Sequence, residues 1–128
     1  MATYYTKLTP IGRAKVAAAI ANEAPLVVTH MALGDGAGNP VPPPTGDETI
    51  LVREVYRDVL NRFERPEELP EFVEAEMMVS AAHGGWVVRE IGLIDIDGDL
   101  IAYGNFPAMY KALPSEGSAQ DRGFRTMI

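Results

Sequence analysis

Residues 91–103, IGLIDIDGDLIAY, decide the fold of this chain. Two runs of strand-forming residues flank an Asp-Gly dipeptide, which is typical of a two-residue hairpin turn because both turn positions require positive φ. The implied register places Ile94 opposite Ile101 and Leu93 opposite Ala102. Since both faces of the hairpin would then carry apolar side chains, we predict that it lies in the middle of the protein.

The residues before the hairpin predict one helix and one buried strand. Thr9 can cap a helix and Pro10 suits its first turn, so we expect a helix from here to about Asn22. Its apolar residues recur at helical spacing and define the face expected to pack on a sheet: Ile11, Ala14, Ala18 and Ala21. Residues 26–33 have few polar interruptions, which predicts a strand covered on both faces.

Residues 50–63 fit both a helical and a strand pattern, so the sequence leaves these two alternatives open. We favour a short helical turn near Thr49 and then two strands, with residues 72–79 pairing back as an antiparallel hairpin. Residues 123–128 also read as a strand, and their end without a polar terminus suggests a chain cut from something longer. Together these elements predict an α+β fold in a single domain of residues 1–128: an N-terminal helix packed on a mainly antiparallel β-sheet, with long Gly/Pro-rich loops.

Composition excludes several functional classes. The 128 residues are 47% hydrophobic, as expected of a folded domain, and the absence of cysteine excludes disulfides and thiolate chemistry. The formal net charge of −7 argues against a nucleic-acid partner, which requires a basic face. No apolar run approaches the ~20 residues of a membrane span, so we predict no membrane insertion and assembly in the cytoplasm.

A glycine- and proline-rich loop follows the predicted strand, in HMALGDGAGNPVPPPTGDET from residue 30 to residue 49. Glycines between a strand and a helix often hold phosphate. Gly34 and Gly36 match a dinucleotide fingerprint, but its third glycine is replaced by Asn39, no Gly-Lys pair occurs, and Asp35 would repel an anion. We therefore predict no nucleotide site. An extended polyproline strap over the surface is expected to follow, at Pro42, Pro43 and Pro44.

Three aspartates near the hairpin turn, Asp95, Asp97 and Asp99, raise the question of a calcium site. An EF-hand loop counted from Asp95 lacks both the glycine and the glutamate that the loop requires. The aspartates are better explained as polar residues at the hairpin end. We predict no metal and no other cofactor, with a non-standard cation site at Asp35 or Asp97 as the alternative.

The sequence contains no constellation of catalytic groups. Ser80 precedes His83 by three residues, a spacing that defines no triad geometry. His30 lies in an apolar strand, as expected of a core histidine. Three carboxylates in or next to the predicted strand of residues 72–79 could suggest acid–base chemistry, but we expect them to form its solvated face: Glu71, Glu74 and Glu76. We therefore predict that the chain is not an enzyme.

Arg89 and Glu90 interrupt an otherwise apolar strand that begins at Trp86. Burying an unpaired charge is costly, and neighbouring strand residues point to opposite faces, so each charge needs its own partner. Two explanations stay open. The charges contact another subunit, or they form internal pairs with Arg53, Glu54 or Arg57.

Five segments carry a family resemblance, in this order: YYTKLTPIGRAKVAAA, THMALGDGAGNP, LVREVYR, GGWVVREIGLIDIDGDLIAYGNFP and YKALPSEGS. Together they resemble the N-terminal domain of phage tail fibre proteins, the tail-collar fibre family of contractile-tailed phages and phage-tail-like bacteriocins. The resemblance extends from about Tyr4 to Ile128. Arg53 departs from it, since a polar, asparagine-like residue is expected there.

The resemblance implies a structural virion component that anchors a tail fibre to the tail baseplate and supports host adsorption indirectly. The implied partners are baseplate proteins and other copies of the fibre chain, as a trimer in the full fibre, with the shaft and receptor-binding tip outside residues 1–128. The implied location is the tail of a virion or of a phage-tail-like particle, assembled in the host cytoplasm. A carbohydrate- or receptor-binding module of a tail protein is the alternative.

The acidic charge of the chain favours a basic socket on the baseplate. The residues expected to shape the protein interface are Gly34, Asp35, Gly36, Pro42, Pro43, Pro44, Trp86, Arg89 and Glu90.

Overall fold

The computed structural model describes residues 4–22, 25–68, 72–117 and 119–128. Within these residues the chain forms one α-helix, α1 (Pro10–Asn22), and eight strands. The strands are β1 (Thr6–Leu8), β2 (Val28–Gly34), β3 (Glu54–Val59), β4 (Arg62–Glu64), β5 (Glu74–Val79), β6 (Trp86–Asp95), β7 (Leu100–Lys111) and β8 (Arg122–Met127). No helix in the described ranges is long and apolar enough to cross a membrane.

The strands form two antiparallel sheets. The larger has the order β1-β7-β6-β2-β3 and the smaller the order β4-β5-β8. Their facing sides share one apolar core, which includes Met31, Leu33, Met77, Leu93 and Phe124. The α+β fold is confirmed, and so is the central place of the β6–β7 hairpin. The strand alternative for residues 50–63, the pairing of residues 72–79 back on the preceding segment and the last strand are confirmed as well.

A second, smaller core covers the other side of the larger sheet. It is built from Ala32, Leu51, Ile94, Leu100 and Tyr103. Since Met31 and Ala32 belong to different cores, β2 is covered on both faces, as predicted.

The helix begins where the sequence predicts, but it packs through a different face. The Thr9 hydroxyl accepts the Gly12 N–H at 3.0 Å, which caps the helix. Gly12 is the buried helical residue, and a Cβ there would lie 1.9 Å from the Ile101 carbonyl oxygen. The predicted packing face is wrong, because it is exposed: Ile11, Ala14, Ala18 and Ala21. The face that contains Gly12 also carries Lys15, so apolar periodicity alone favoured the other face.

The central hairpin has a wider turn than predicted. Leu93 pairs with Ala102 as expected, but a register shift places Ile94 opposite Leu100 rather than Ile101. The side chain of Asp95 explains the wider turn, since it accepts the backbone N–H groups of the two other turn aspartates at 3.1 and 2.9 Å. Such bonds from an aspartate side chain to nearby backbone N–H groups stabilise a turn that is longer than the predicted two-residue loop.

The acidic face predicted on β5 is only partly solvated. Glu74 is buried, and its carboxylate contacts the Arg62 guanidinium at 2.6 Å and that of Arg125 at 3.8 Å. Glu76 is half-buried, and Glu71 lies outside the described residues. The prediction is wrong for Glu74 because β5 is the middle strand of its sheet, so arginines on both neighbours can reach it.

Candidate protein-interaction site

The glycine loop leaves β2 through three left-handed residues, with φ of +66° at Gly36, +55° at Ala37 and +87° at Gly38. The left-handed backbone conformation costs a non-glycine residue such as Ala37 roughly 1–2 kcal/mol. The N–H of Ala37 donates to the Asp35 carboxylate at 2.9 Å, and that of Gly36 to the Glu90 carboxylate at 3.3 Å. These amides therefore face the protein's own carboxylates, where a phosphate loop would leave them free for an anion.

The loop continues into a long segment, residues 35–53, which we call the strap. The side chain of Glu90, on β6, binds both ends of the strap. Its buried carboxylate accepts the N–H groups of Gly36 at 3.3 Å, Val52 at 2.8 Å and Arg53 at 2.9 Å, and the Tyr103 hydroxyl at 2.5 Å. Burial, followed by the Glu90 carboxylate, raises the pKa of the Tyr103 phenol. Glu90 is thus satisfied internally, but the prediction of an arginine side-chain partner is wrong.

A second contact closes the strap at its surface. The Arg53 guanidinium binds the Asp35 carboxylate, with Nε at 2.9 and 3.1 Å from the two oxygens. The hydrogen bond from Arg53 lowers the pKa of Asp35, although burial opposes the effect. The residue that departs from the family pattern therefore has a local role in closing the strap.

Arg89 and Glu90 both reach the strap, although strand alternation predicts opposite directions. Arg89 donates to the Asp35 carbonyl oxygen at 2.8 Å. The pairing of β6 with β7 is irregular between Val88 and Glu90, and such a bulge redirects side chains. Arg89 thus contacts a backbone carbonyl, so the predicted acidic partner is wrong for this residue too.

The middle of the strap forms capping-box contacts without a helix. Thr45 and Glu48 have the spacing of a helix start, and the Glu48 carboxylate accepts the N–H groups of Thr45 and Gly46, both at 3.0 Å. Burial opposes ionisation of Glu48, but these N–H groups lower its pKa overall. No helical turn forms near Thr49, which corrects the prediction. Arg13 from α1 donates to the Gly46 carbonyl oxygen at 2.7 Å and holds the turn in place.

The prolines divide between the surface and the interior. Pro42 and Pro43 are exposed, as expected of a strap over the surface. Pro44 is fully buried, and its carbonyl oxygen accepts the Tyr5 hydroxyl at 3.1 Å. Val41 packs against the smaller core. The strap is therefore part of the fold, which corrects the expectation that it only crosses a surface.

Trp86 lies apart from the strap, at the other end of β6. Its ring stacks on Tyr56 at a centroid distance of 5.7 Å, and Tyr56 contacts the ring of His83 at 5.1 Å. The Ser80 hydroxyl accepts a backbone N–H, so it and His83 serve separate contacts. His30 is half-buried and bonds a neighbouring threonine hydroxyl at 2.8 Å, which places it at the edge of the core.

The turn aspartates surround a lysine. The Lys15 ammonium lies 2.5 Å from Asp95, 3.0 Å from Asp97 and 2.7 Å from Asp99. These carboxylates, above all Asp95, raise the pKa of Lys15. The Lys15 ammonium therefore lies where a cation would bind between the three carboxylates. In the same way, the Arg53 guanidinium binds the carboxylate of Asp35.

For several of these partners the sequence contains only weak signals. Tyr103 could have been inferred, because it lies two residues from Asn105, the register partner of Glu90, and such diagonal neighbours share a face. Nothing in the local pattern pointed to Tyr5, Arg13 or Lys15. Of the predicted interface residues, the structure brings together Gly34, Asp35, Gly36, Arg89 and Glu90, with the prolines farther along the same strap and Trp86 elsewhere.

Comparisons with known proteins agree with the resemblance. The chain matches the family described as phage tail-collar fibre protein, N-terminal, over residues 1–128. It is 36% identical over 126 residues to the probable tail fiber protein of Escherichia phage P2, an alignment that covers 98% of this chain and 19% of that relative. The chain thus spans about a fifth of the relative's length. No solved structure matches it. The chain therefore belongs to the phage tail-collar fibre family, in its N-terminal part, and is a structural component of a phage tail.

Proposed function

We propose that residues 1–128 anchor a tail fibre to the tail baseplate and so support host adsorption indirectly. The observation that carries this proposal is the family match, which assigns the region to the N-terminal part of tail-collar fibre proteins. A fibre must be joined to its tail at one end. A folded N-terminal module that accounts for about a fifth of the P2 relative is suited to that task and leaves the rest for other parts of the fibre.

The geometry of the strap supports an attachment role. Its ends are joined by Glu90 and by the ion pair of Asp35 with Arg53, and its middle is held by Arg13. A surface fixed in this way loses little conformational entropy on docking, which favours binding. Exposed apolar residues on the strap can contact a neighbour: Pro42, Pro43, Ile50 and Val52.

On this proposal the module has no catalytic task. Side chains that could suggest chemistry serve structural contacts, as Lys15 does among the turn aspartates and Glu74 does with Arg62. The partners are baseplate proteins and other copies of the fibre chain, as a trimer in the full fibre. The particle, a virion or a tail-like bacteriocin, is assembled in the host cytoplasm.

Crosslinking of intact particles tests the proposal. Lys7 is exposed and accessible to a lysine-specific crosslinker, so mass spectrometry should recover links from Lys7 to baseplate proteins. Electron micrographs should also show tails without fibres when residues 1–128 of the full fibre are replaced by the equivalent region from a phage with an unrelated baseplate. Fibres that still attach after this exchange would refute anchoring by this region. Normal attachment with lost adsorption would favour the receptor-binding alternative.

A further inference from the structure

A groove of about 410 Å³ lies between the strap, the start of α1 and the outer side of the larger sheet. Its floor consists of the buried side chains of Leu51, Ile94 and Leu100, and the exposed side chains of Ile11 and Ile50 stand at its rim. Ile50 is 76% exposed, so a large aliphatic side chain is held in solvent beside an apolar cavity. The volume lies in the range of roughly 300–1,000 Å³ that is typical of ligand pockets.

The groove is lined by more negative than positive charge. Its carboxylates are Glu48, Glu54 and Asp99, and Arg57 is the one cation among the described residues that line it. Arg57 is paired with Glu54 at 2.7 Å. Asp99 shares the Lys15 ammonium with Asp95 and Asp97, so this group of three carboxylates and one ammonium stays negative. Glu48 is held by backbone N–H groups and keeps its negative charge without a counter-ion in the groove lining. An apolar floor with an acidic rim is complementary to an apolar side chain that has Lys or Arg next to it.

The walls of the groove are preformed. On the strap side, the Val52 N–H is bonded to the buried Glu90, which fixes the backbone next to Leu51 and Ile50. On the helix side, Thr9 donates its backbone N–H to the Ile101 carbonyl oxygen at 3.0 Å and fixes the start of α1. A partner could therefore enter without rearranging either wall, which lowers the cost of binding.

We propose that this groove receives a segment of a baseplate protein that inserts one large apolar side chain flanked by Lys or Arg. The inference rests on the proposed function and specifies the docking surface. A second copy of this chain is a poor occupant, because each copy carries a formal charge of −7 and presents the same acidic groove. A basic partner reverses that repulsion and accelerates docking at low salt.

The test uses the full-length fibre and fluorescent peptides that tile the sequences of the baseplate proteins of the same particle. Fluorescence anisotropy should identify a bound peptide with an apolar residue next to Lys or Arg. Ile50→Asp should weaken its binding at least tenfold. Ile20→Asp is the matched control, because Ile20 is 75% exposed on α1 and does not line the groove. This control variant should bind as the wild type does.

A charge pair of variants tests the acidic rim. Glu54→Lys should weaken binding several-fold at low salt, whereas Glu67→Lys, at an exposed residue away from the groove, should not. Equal thermal unfolding midpoints would establish that all variants fold.

The outcomes separate this inference from the proposed function. Fibres with Ile50→Asp that attach to tails as well as those with Ile20→Asp overturn the groove and leave baseplate anchoring intact. A failure of wild-type fibres to attach through residues 1–128 overturns both. A bound peptide whose affinity is unchanged in both Ile50→Asp and Glu54→Lys overturns the groove as the docking site. Weaker binding in these two variants, with unchanged binding in Ile20→Asp and Glu67→Lys, supports it.

Discussion

Glu90→Gln is the sharpest test of how the strap is held. The substitution keeps the shape of the side chain and replaces one acceptor oxygen with an NH2 group that can only donate. In the native protein, Gly36 and Arg53 donate to Oε2, while Val52 and Tyr103 donate to Oε1. Four donors therefore converge on two oxygens in a site with no solvent access.

The magnitude follows from these bonds. With the amide oxygen at the Oε2 position, the new NH2 faces the Val52 N–H, and the Tyr103 hydroxyl can rotate to accept from it. The partly buried N–H of Val52 then loses its acceptor, which costs roughly 1–3 kcal/mol, and the remaining bonds lose their charge assistance. We expect Glu90→Gln to lower the free energy of unfolding by about 2–4 kcal/mol.

Urea unfolding of the wild type and of three variants measures this effect. Tyr103→Phe removes one donor and should cost about 1–2 kcal/mol. Val52→Ala keeps the backbone N–H and changes an exposed side chain, so it should stay within about 0.5 kcal/mol of the wild type. Tryptic cleavage after Arg53 should be faster in Glu90→Gln, because the strap opens. A Glu90→Gln protein as stable as Val52→Ala would refute the reasoning.

Three further predictions concern other parts of the fold. Gly12→Val should lower stability by about 1–3 kcal/mol in thermal unfolding, because a Cβ meets the Ile101 carbonyl oxygen, whereas a substitution on the exposed face of α1 should not. Ala37→Gly should raise stability by about 0.5–1 kcal/mol, since it relieves a positive φ; no gain would contradict the left-handed geometry. Burial raises the pKa of Asp95, but hydrogen bonds, chiefly that from Lys15, together outweigh burial and hold this pKa below its usual value. This contribution is present above the unfolded pKa of Asp95 and is lost as pH falls through the folded value, so Lys15→Met should lower the unfolding midpoint at neutral pH and flatten its acid dependence.

Local features of the fold could be predicted because the residues that cause them are adjacent in the sequence. Thr9 and Pro10 marked the start of α1, alternating and continuous apolar runs marked the strands, and the turn at Gly98 marked the hairpin. The same applies to the family, since the order of short motifs is itself a property of the sequence.

Several local signals were present but were overruled by packing. Thr45 and Glu48 form the contacts of a helix start, yet the strap continues extended because Leu51 is buried under the sheet. The alanine-rich face of α1 has helical spacing, yet the helix turns Gly12 toward β7, because only a residue without Cβ allows that approach. In both cases a tertiary contact outweighs a local preference.

The sequence alone determined the helix, most strands, the α+β class and the tail-collar fibre family. Only the tertiary structure decided which helix face is buried, how Arg89 is redirected and what satisfies Glu90. The donors to Glu90 come from residues 36, 52, 53 and 103, which are brought together by strand register and by one bulge. Such meetings depend on long-range geometry, because a shift of one residue in register changes every cross-strand partner.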